Sequence, residues 1–478
     1  RRHLLQNSLK LASSVTVLTL AAGVPLGLLF GRFDMPLKRF FALLFIVPLL
    51  VPPYIWAVGW ADLLAPGGVL ADMVDSGLLH RAHEHLFGFE GALFILSCVY
   101  LPIPMILTMV LLKSVNPNFE EAALLATGWP GVLKSVTLPL IAPGILLAAV
   151  LVFLLSFGEI TVPGFLRYDV YAVESFTAFS AFYDYTAATA YTAPMLALTL
   201  SLLLFEERFL RRGLERVGFG SALKGFLSIP LGAFKPVMPV LIALIVTVTV
   251  LTPFAALVWQ SAGTDIYFKA LEQAGGSIGR TLIYAVTGAT LLTIFGFLTG
   301  YAIHTRSVRW WRFLDASTLF LFALPSTVVA IGLISLWNRP WSAFVYTTPL
   351  IVVMGFLAKY LVLPSRITAA QLALIPDSME EAAQVAGAGW FRRMVYIVAP
   401  LAARGLAAAW LVAYIFIVRD TSVAMLLYPP GEDTLSVRIF TMMANGTPEL
   451  IAALCVIMAA MSLVPAVILG FGVKRGGI

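Results

Sequence analysis

The chain has 478 residues, 60% of them hydrophobic and 12% charged. Its mean hydropathy of +0.94 excludes an ordinary soluble domain, for which water is the main solvent. The net charge of +6 would suit a nucleic-acid binder, but the basic residues are scattered through loops between apolar runs, so no nucleic-acid partner is expected. Cys98 and Cys455 both fall within apolar runs and support neither a disulfide framework nor a metal knuckle.

Taken in chain order, eleven runs are long and apolar enough to cross a bilayer: 8–30, 40–60, 92–112, 142–160, 189–205, 237–259, 281–303, 313–337, 344–362, 403–418 and 451–469. None alternates as a lipid-facing barrel strand does, so backbone hydrogen bonding within helices has to satisfy these segments and the fold class is all-α membrane. Prolines inside the runs, such as Pro48 and Pro325, are expected at kinks. The first run lacks a small-residue cleavage site and does not read as a secretory signal.

Alternate loops hold roughly two thirds of the Lys and Arg, among them Arg32, Lys38, Lys113, Lys134, Arg208 to Lys235, Arg306, Arg366, Arg392, Arg393 and Lys474. This bias places the loops around 113–141 and 363–402, and the C-terminus, on the cytoplasmic side.

An internal repeat organises the chain. Glu120-Glu121-Ala122-Ala123 stands 260 residues before Glu380-Glu381-Ala382-Ala383, and Tyr100-Leu101 keeps the same offset from Tyr360-Leu361. Pro139-Leu140 matches Pro400-Leu401 after a slip of one residue, and Ser8-Leu9 resembles Thr281-Leu282 at looser spacing. The expected organisation is a first unit over 1–212, a basic cytoplasmic linker over 213–235 and a second unit over 236–478. The second unit holds six runs and the first five, so a helix before Ser8 is the expected absentee and the full chain is expected to have twelve.

Each copy of the Glu-Glu-Ala-Ala segment reads as a short amphipathic helix between two spans. Asn118 or Ser378, three residues before Glu121 or Glu381, has capping-box spacing, and Pro117 or Pro376 lies just upstream. Glycines (Gly128; Gly387 and Gly389) end the helix, and Trp129 or Trp390 leads into the next span. The alanines leave room for a close surface, and an exposed Glu can meet a partner's Arg. Two such helices suit two equivalent grooves of a two-fold partner.

These segments resemble the EAA loop of binding-protein-dependent ABC importer permeases. Glu381-Ala382-Ala383, Gly387 and Pro400 follow the outline of that motif. The first copy departs from it, with Thr127 in place of the glycine and Gly128 expected to substitute, and the second has Arg404 where the first keeps Pro143. The resemblance implies two tandem MetI-like units and coupling helices at Glu120, Glu121, Ala122, Ala123 and Gly128 and at Glu380, Glu381, Ala382, Ala383 and Gly387. It also implies two ABC ATPase subunits that bind the ATP, a substrate-binding protein on the other face, and a multi-pass location in the bacterial inner membrane. Ser156-Phe157-Gly158-Glu159 and YPPGEDTLSVRIF at 428–440 look most like ferric-iron permeases; thiamine, aminoethylphosphonate and polyamine permeases are similar.

No phosphate-binding GxxxxGK[ST], nucleophile elbow or HExxH occurs, so neither a catalytic residue nor a cofactor site is expected on this chain. The alternative from another class is an ion-coupled secondary transporter, which would carry more ionisable residues deep in its spans. His80, His83 and His85, with Glu84, Asp72 and Asp75, read as a solvated loop rather than a metal site, since their spacing matches no stereotyped ligand set. Carrying the 261-residue offset onward puts Glu159 opposite Asp420, both after nearly uncharged spans. Together they are candidates to line the outer mouth of a cation path, or else to be helix-end charges paired locally, Asp420 with Arg419.

Overall fold

A computed structural model describes residues 2–65, 68–71, 75–182, 185–205, 208 and 228–475. Most of the basic linker, including Arg216 and Lys224, and Asp72 lie outside the described residues. By packing, the chain divides into one compact unit of Arg1–Ile266 with Pro448–Ala453 and another of Tyr267–Thr447 with Leu454–Ile478.

In the first unit the helices are α1 (Arg2–Arg32), α2 (Lys38–Leu50), α3 (Pro53–Leu64), α4 (Ser76–Leu86), α5 (Phe89–Leu112), α6 (Pro117–Leu124), α7 (Trp129–Phe157), α8 (Thr161–Phe165), α9 (Tyr171–Ser180), α10 (Tyr185–Phe205) and α11 (Val237–Gln260). The second has α12 (Thr264–Thr305) from Tyr267 on, α13 (Trp311–Ala323), α14 (Ser326–Trp337), α15 (Ala343–Tyr346), α16 (Leu350–Tyr360), α17 (Val362–Leu372), α18 (Asp377–Val385), α19 (Trp390–Leu401), α20 (Ala403–Val418), α21 (Ser422–Leu427), α22 (Leu435–Met442) and α23 (Pro448–Arg475) from Leu454 on. Among the described residues the one β contact is an isolated bridge between Phe33 and Ile229. Among the described residues seven helices are long and apolar enough to cross a membrane, rising to eleven if each of four bent pairs is one span. The chain is the all-α membrane protein expected from its apolar runs. Helix α11, placed with the second unit by sequence order, packs with the first, where Gly59 of α3 meets the Pro253 backbone.

Two bends have a local cause. Helices α2 and α3 meet at 99° and α13 and α14 at 111°. Val51 and Leu324, at the breaks, are extended (ψ 147° and 138°), because each precedes a proline, Pro52 or Pro325, that disfavours helical backbone at the residue before it. Pro325 therefore kinks its span as expected. Pro48 does not: it stays buried inside α2, and the break comes at Val51, three residues on.

The repeat is written into the packing at offsets of 260 to 273. On α1, a Cβ at Gly23 would lie 2.7 Å from Pro104 Cγ and one at Gly27 would lie 2.6 Å from Thr108 Cβ. On α12, a Cβ at Gly296 would lie 2.6 Å from Pro364 Cβ and one at Gly300 would lie 2.9 Å from Thr368 Cβ. Each unit thus has a small-xxx-small face that lets backbones approach closely, where lipid supplies no hydrophobic drive for helix association. At the other ends of the same helices, Ser8 accepts from the Tyr171 N–H at 2.8 Å and Thr281 from the Leu435 N–H at 2.7 Å. Each buried hydroxyl satisfies an orphan donor at the start of a short helix, α9 or α22.

Candidate functional site

The repeated segment forms the helices α6 and α18. Their caps differ from the capping boxes expected of Asn118 and Ser378. Pro117 takes the first helical position of α6, where its missing N–H costs nothing, so the cap moves back to Asn116, whose side chain accepts from the Asn118 N–H at 3.0 Å. In α18 the cap is Pro376, which offers no side-chain acceptor, and Ser378 lies inside the helix.

The far ends of the two helices differ as well. Gly387 has φ +83°, and the N–H groups of Gly387 and Ala388 bond to the carbonyls of Gln384 and Ala383 at 3.0 Å each. This is a Schellman closure, which needs the left-handed backbone that glycine adopts freely. Gly128 does not substitute for it, since it is extended (φ −75°, ψ 175°) and opens α7, as Gly389 (φ −64°, ψ 164°) opens α19. The one-residue slip therefore lies at the end of α6, where Thr127 bonds back to the Ala123 carbonyl at 2.9 Å without a left-handed residue.

The two glutamates of each pair part company. Glu121 and Glu381 are exposed, as are Ala122 and Ala382, with Ala123 and Ala383 half-buried. Around them stand large apolar side chains without cover: Phe119 (58% exposed) and Leu125 (92%) on α6, Met379 (49%) and Val385 (90%) on α18. These are again pairs at the 260-residue offset. Glu120 and Glu380 point the other way, into their own unit. Glu120 is fully buried, 2.9 Å from the Arg32 guanidinium and accepting from Thr137 Oγ1 at 2.7 Å. Glu380 accepts from the Tyr301 hydroxyl at 2.7 Å, with Arg393 Nε 3.6 Å away. The helices that follow them, α7 and α19, each contain a π-helical turn at an equivalent position, Leu133–Thr137 and Met394–Val398.

Glu159 and Asp420 follow the far ends of α7 and α20, and each is held by the tyrosine of its own unit. Tyr100 donates to Glu159 Oε2 at 3.1 Å, while Thr161 donates to Oε1 through its N–H at 2.9 Å and its hydroxyl at 2.6 Å. Tyr360 donates to Asp420 Oδ2, and the Val423 and Ala424 N–H groups reach Oδ1 at 2.7 and 3.3 Å. Both acids therefore stabilise the first turn of a short helix, α8 or α21, where a negative charge meets the positive end of the helix dipole. The guanidinium of Arg419, beside Asp420 in sequence, lies over the Phe416 ring, 5.3 Å from the centroid. Asp420 is 6% exposed and Glu159 is half-buried.

The histidine cluster is a helix rather than a loop. Asp75 caps α4 by accepting from the Gly77 and Leu78 N–H groups, and the exposed His80 and His85 pair with Glu84 at 3.3 Å and Glu90 at 2.8 Å. Partial burial pushes the His83 pKa below its ordinary value, and its ring packs on Phe87. Among the described residues no group of three or more His, Cys, Asp or Glu side chains is placed to hold a metal ion.

The structure thus defines a class: a multi-span helical membrane protein of two repeat units, each presenting the same short, partly apolar helix outside its spans. The chain belongs to the family of binding-protein-dependent transport system inner membrane components, which it matches over residues 23–212 and 292–475. Among curated relatives it is 23% identical to a ferric transport system permease protein of Actinobacillus pleuropneumoniae, over 90% of this chain and 65% of that one. A second Fe(3+)-transport system permease protein, from Haemophilus influenzae, is 22% identical over 92% of this chain and 83% of its own length. A spermidine/putrescine transport system permease protein of Escherichia coli is 26% identical over 52% of this chain and 90% of its own. Among solved structures, a chain of a bacterial ABC transporter involved in alginate import aligns with TM-score 0.40 and 18% identity, covering 51% of this chain and 97% of that one.

Proposed function

We propose that the chain is the membrane-spanning part of an ATP-driven importer that brings ferric iron into the cytoplasm. The observation that carries this reading is the matched pair of helices α6 and α18. Each offers an exposed carboxylate, Glu121 or Glu381, ringed by apolar side chains that are up to 92% exposed. Uncovered apolar surface of this kind, twice and in equivalent places, fits burial against two copies of one partner. In this reading the partners are ABC ATPase subunits, and α6 and α18 couple ATP hydrolysis to movement of the spans. The bias of basic loops supports a location of both helices and the C-terminus in the cytoplasm, in the inner membrane. A substrate-binding protein delivers cargo to the opposite face, and ATP is bound by the ATPase rather than by this chain.

Ferric iron as cargo is supported by the names of the relatives aligned over nearly the whole chain. Glu159 and Asp420, at the far ends of the helices that follow the coupling segments, are proposed to line the outer gate of the path. The half-buried Glu159 is the one that a passing cation can reach, and Asp420 fixes the matching turn in the other unit. The direct test is uptake into proteoliposomes holding the chain with its ATPase and binding protein. ATP-dependent accumulation of ferric iron, not of thiamine, aminoethylphosphonate or spermidine, is the expected result, and uptake without ATP would overturn the reading.

A further inference from the structure

We propose that Glu120 and Glu380 are positioning residues: each ties its coupling helix to the leading helix of the same unit, so that displacement of the coupling helix moves a span. The inference rests on the permease reading above and adds the path by which force leaves α6 and α18. In the first unit, Arg32 at the last turn of α1 contacts Glu120 at 2.9 Å and the Leu112 carbonyl at 3.2 Å, while Thr137 binds the same carboxylate from the π-turn of α7. The Arg32–Glu120 pair therefore joins the end of α1, the end of α5, the coupling helix and the start of α7. The Arg32 carbonyl accepts from the Ile229 N–H at 2.9 Å, which brings the end of the linker to the same point.

In the second unit the leading helix, the coupling helix and the helix after it are joined by different chemistry. Tyr301, in the last turns of α12, supplies the hydroxyl, and Arg393, at the entry to the π-turn of α19, supplies the cation. At the offset that relates the two glycine faces, Arg32 corresponds to Thr305 and Tyr301 to Leu28. The donors thus stand one helical turn apart on equivalent helices. The contact has been rebuilt with other residues while the elements it connects are the same, which points to a mechanical requirement rather than to packing alone.

The two tethers differ in stiffness. Arg32 and Glu120 side chains are each 1% exposed, whereas Arg393 and Glu380 are 13% and 25% exposed. A small cleft lined by Tyr301, His304, Asp377, Glu380 and Leu401 opens beside the second tether. Water weakens such a pair, and a buried one is costly to open. The first coupling helix is accordingly the rigid lever and the second the compliant one.

The test uses the assembled complex, in which ATP hydrolysed and ferric iron taken up are counted together. Glu120→Ala and Arg32→Ala should lower iron moved per ATP at least tenfold, with the ATPase still co-purifying. Glu120→Gln combined with Arg32→Gln, which leaves no lone buried charge, should recover part of that loss. Tyr301→Phe, which removes one half-buried hydroxyl and leaves the fold intact, should lower the ratio about threefold. An unchanged ratio in Tyr301→Phe and Glu380→Gln overturns the proposal for the second unit, and in Glu120→Gln for the first. Loss of ATPase association in Glu120→Ala would place Glu120 in the docking surface and also overturn it. Failure of the wild-type chain to bind any ATPase would instead sink the permease reading, so the two failures are distinguishable.

Discussion

Tyr100 donates its phenolic hydrogen to Glu159 across 3.1 Å, and 260 residues later Tyr360 does the same to Asp420. In each unit the bond crosses from the span before the coupling helix to the turn after the next span. It closes the far end of the two helices that the coupling segment connects at the near end. Any tilt of α7 against α5, or of α20 against α16, therefore strains a charge-assisted hydrogen bond, which is stronger than a neutral one.

Glu159→Gln with Asp420→Asn should lower ferric-iron uptake about tenfold without lowering basal ATPase activity or the amount of protein in the membrane. Each amide keeps one acceptor oxygen for the helix N–H groups and turns its NH2 toward the oxygen of Tyr100 or Tyr360, which can accept it, so the change removes charge more than structure. Uptake equal to wild type at every substrate concentration would return both acids to a purely capping role.

Replacing Glu121 and Glu381 together by Lys should abolish uptake and detach the ATPase, with the chain still inserted. Losing charge-assisted contacts at a docking surface costs about 2–5 kcal/mol, roughly 30-fold to a few thousandfold in affinity. Both side chains are exposed, so the fold has no stake in them. Co-purification of the ATPase with the double variant at wild-type yield would exclude the coupling role.

Much of the architecture was legible from apolar run length and from one offset. The eleven runs correspond to seven straight helices and four bent pairs because length and hydropathy are what a bilayer selects. Tyr100, Tyr360, Glu159 and Asp420 all stood at repeat-equivalent positions in the sequence, yet their pairing was hidden, since nothing local says that a span 59 residues upstream turns its tyrosine toward Glu159. The Arg32–Glu120 pair was missed for the same reason, with 88 residues between the partners. A signal existed in the doubled glutamate, since one helix face cannot present both neighbours to the same partner. The capping boxes failed at a proline in each copy: Pro117 at the first helical position moves the cap back to Asn116, and Pro376 itself takes the cap position ahead of Ser378. Gly23 and Gly27 with Gly296 and Gly300 were readable at the offset of Ser8 and Thr281, and their close packing is what keeps that offset constant.

Gly27→Leu and Gly300→Leu should each destabilise their unit by more than the about 1–3 kcal/mol typical of overpacking. A Cβ would stand 2.7 Å from the Met105 carbonyl oxygen at the first site and 2.5 Å from that of Ser365 at the second, and backbone cannot swing aside as a side-chain tip can. Folded yield after detergent extraction and the thermal midpoint of the purified chain would both fall. Gly332→Leu, where a Cβ would meet nothing within 4 Å, should leave them unchanged and serves as the control.

The orientation is open to labelling with a membrane-impermeant thiol reagent. A cysteine introduced at Arg216 should react only after the membrane is opened, and one at the half-buried His83 should react from outside. Cys98 and Cys455 lie half-buried and buried, so background labelling is low. Labelling of position 216 in intact cells would reverse the topology and, with it, the side on which α6 and α18 meet the ATPase.

Residues 228–235, the described end of the linker, form a strap beside α1 whose pH dependence follows from Asp34. The Lys235 ammonium, 2.6 Å from Oδ2, and the Leu231 N–H, 2.8 Å from Oδ1, hold the Asp34 carboxyl below its ordinary pKa of 3.8. A group whose pKa is depressed on folding contributes stability that is complete above its unfolded pKa and is lost as pH falls through the folded value. The clamp should therefore keep full strength from neutral pH down to about 4 and weaken only below that, by an amount that stays small because the pair is solvent-accessible and screened. Spin labels at Pro36→Cys and Ala233→Cys, both exposed positions, would report the separation of the end of α1 from the strap in a background lacking Cys98 and Cys455. The distance distribution should stay narrow between pH 7 and 4 and broaden below. Asp34→Ala, which removes both acceptors, should broaden it at every pH, and Asp34→Asn, which keeps an oxygen for Leu231, should fall between the two. Broadening of the wild-type distribution already at pH 6 would mean that another group holds the strap in place of Asp34.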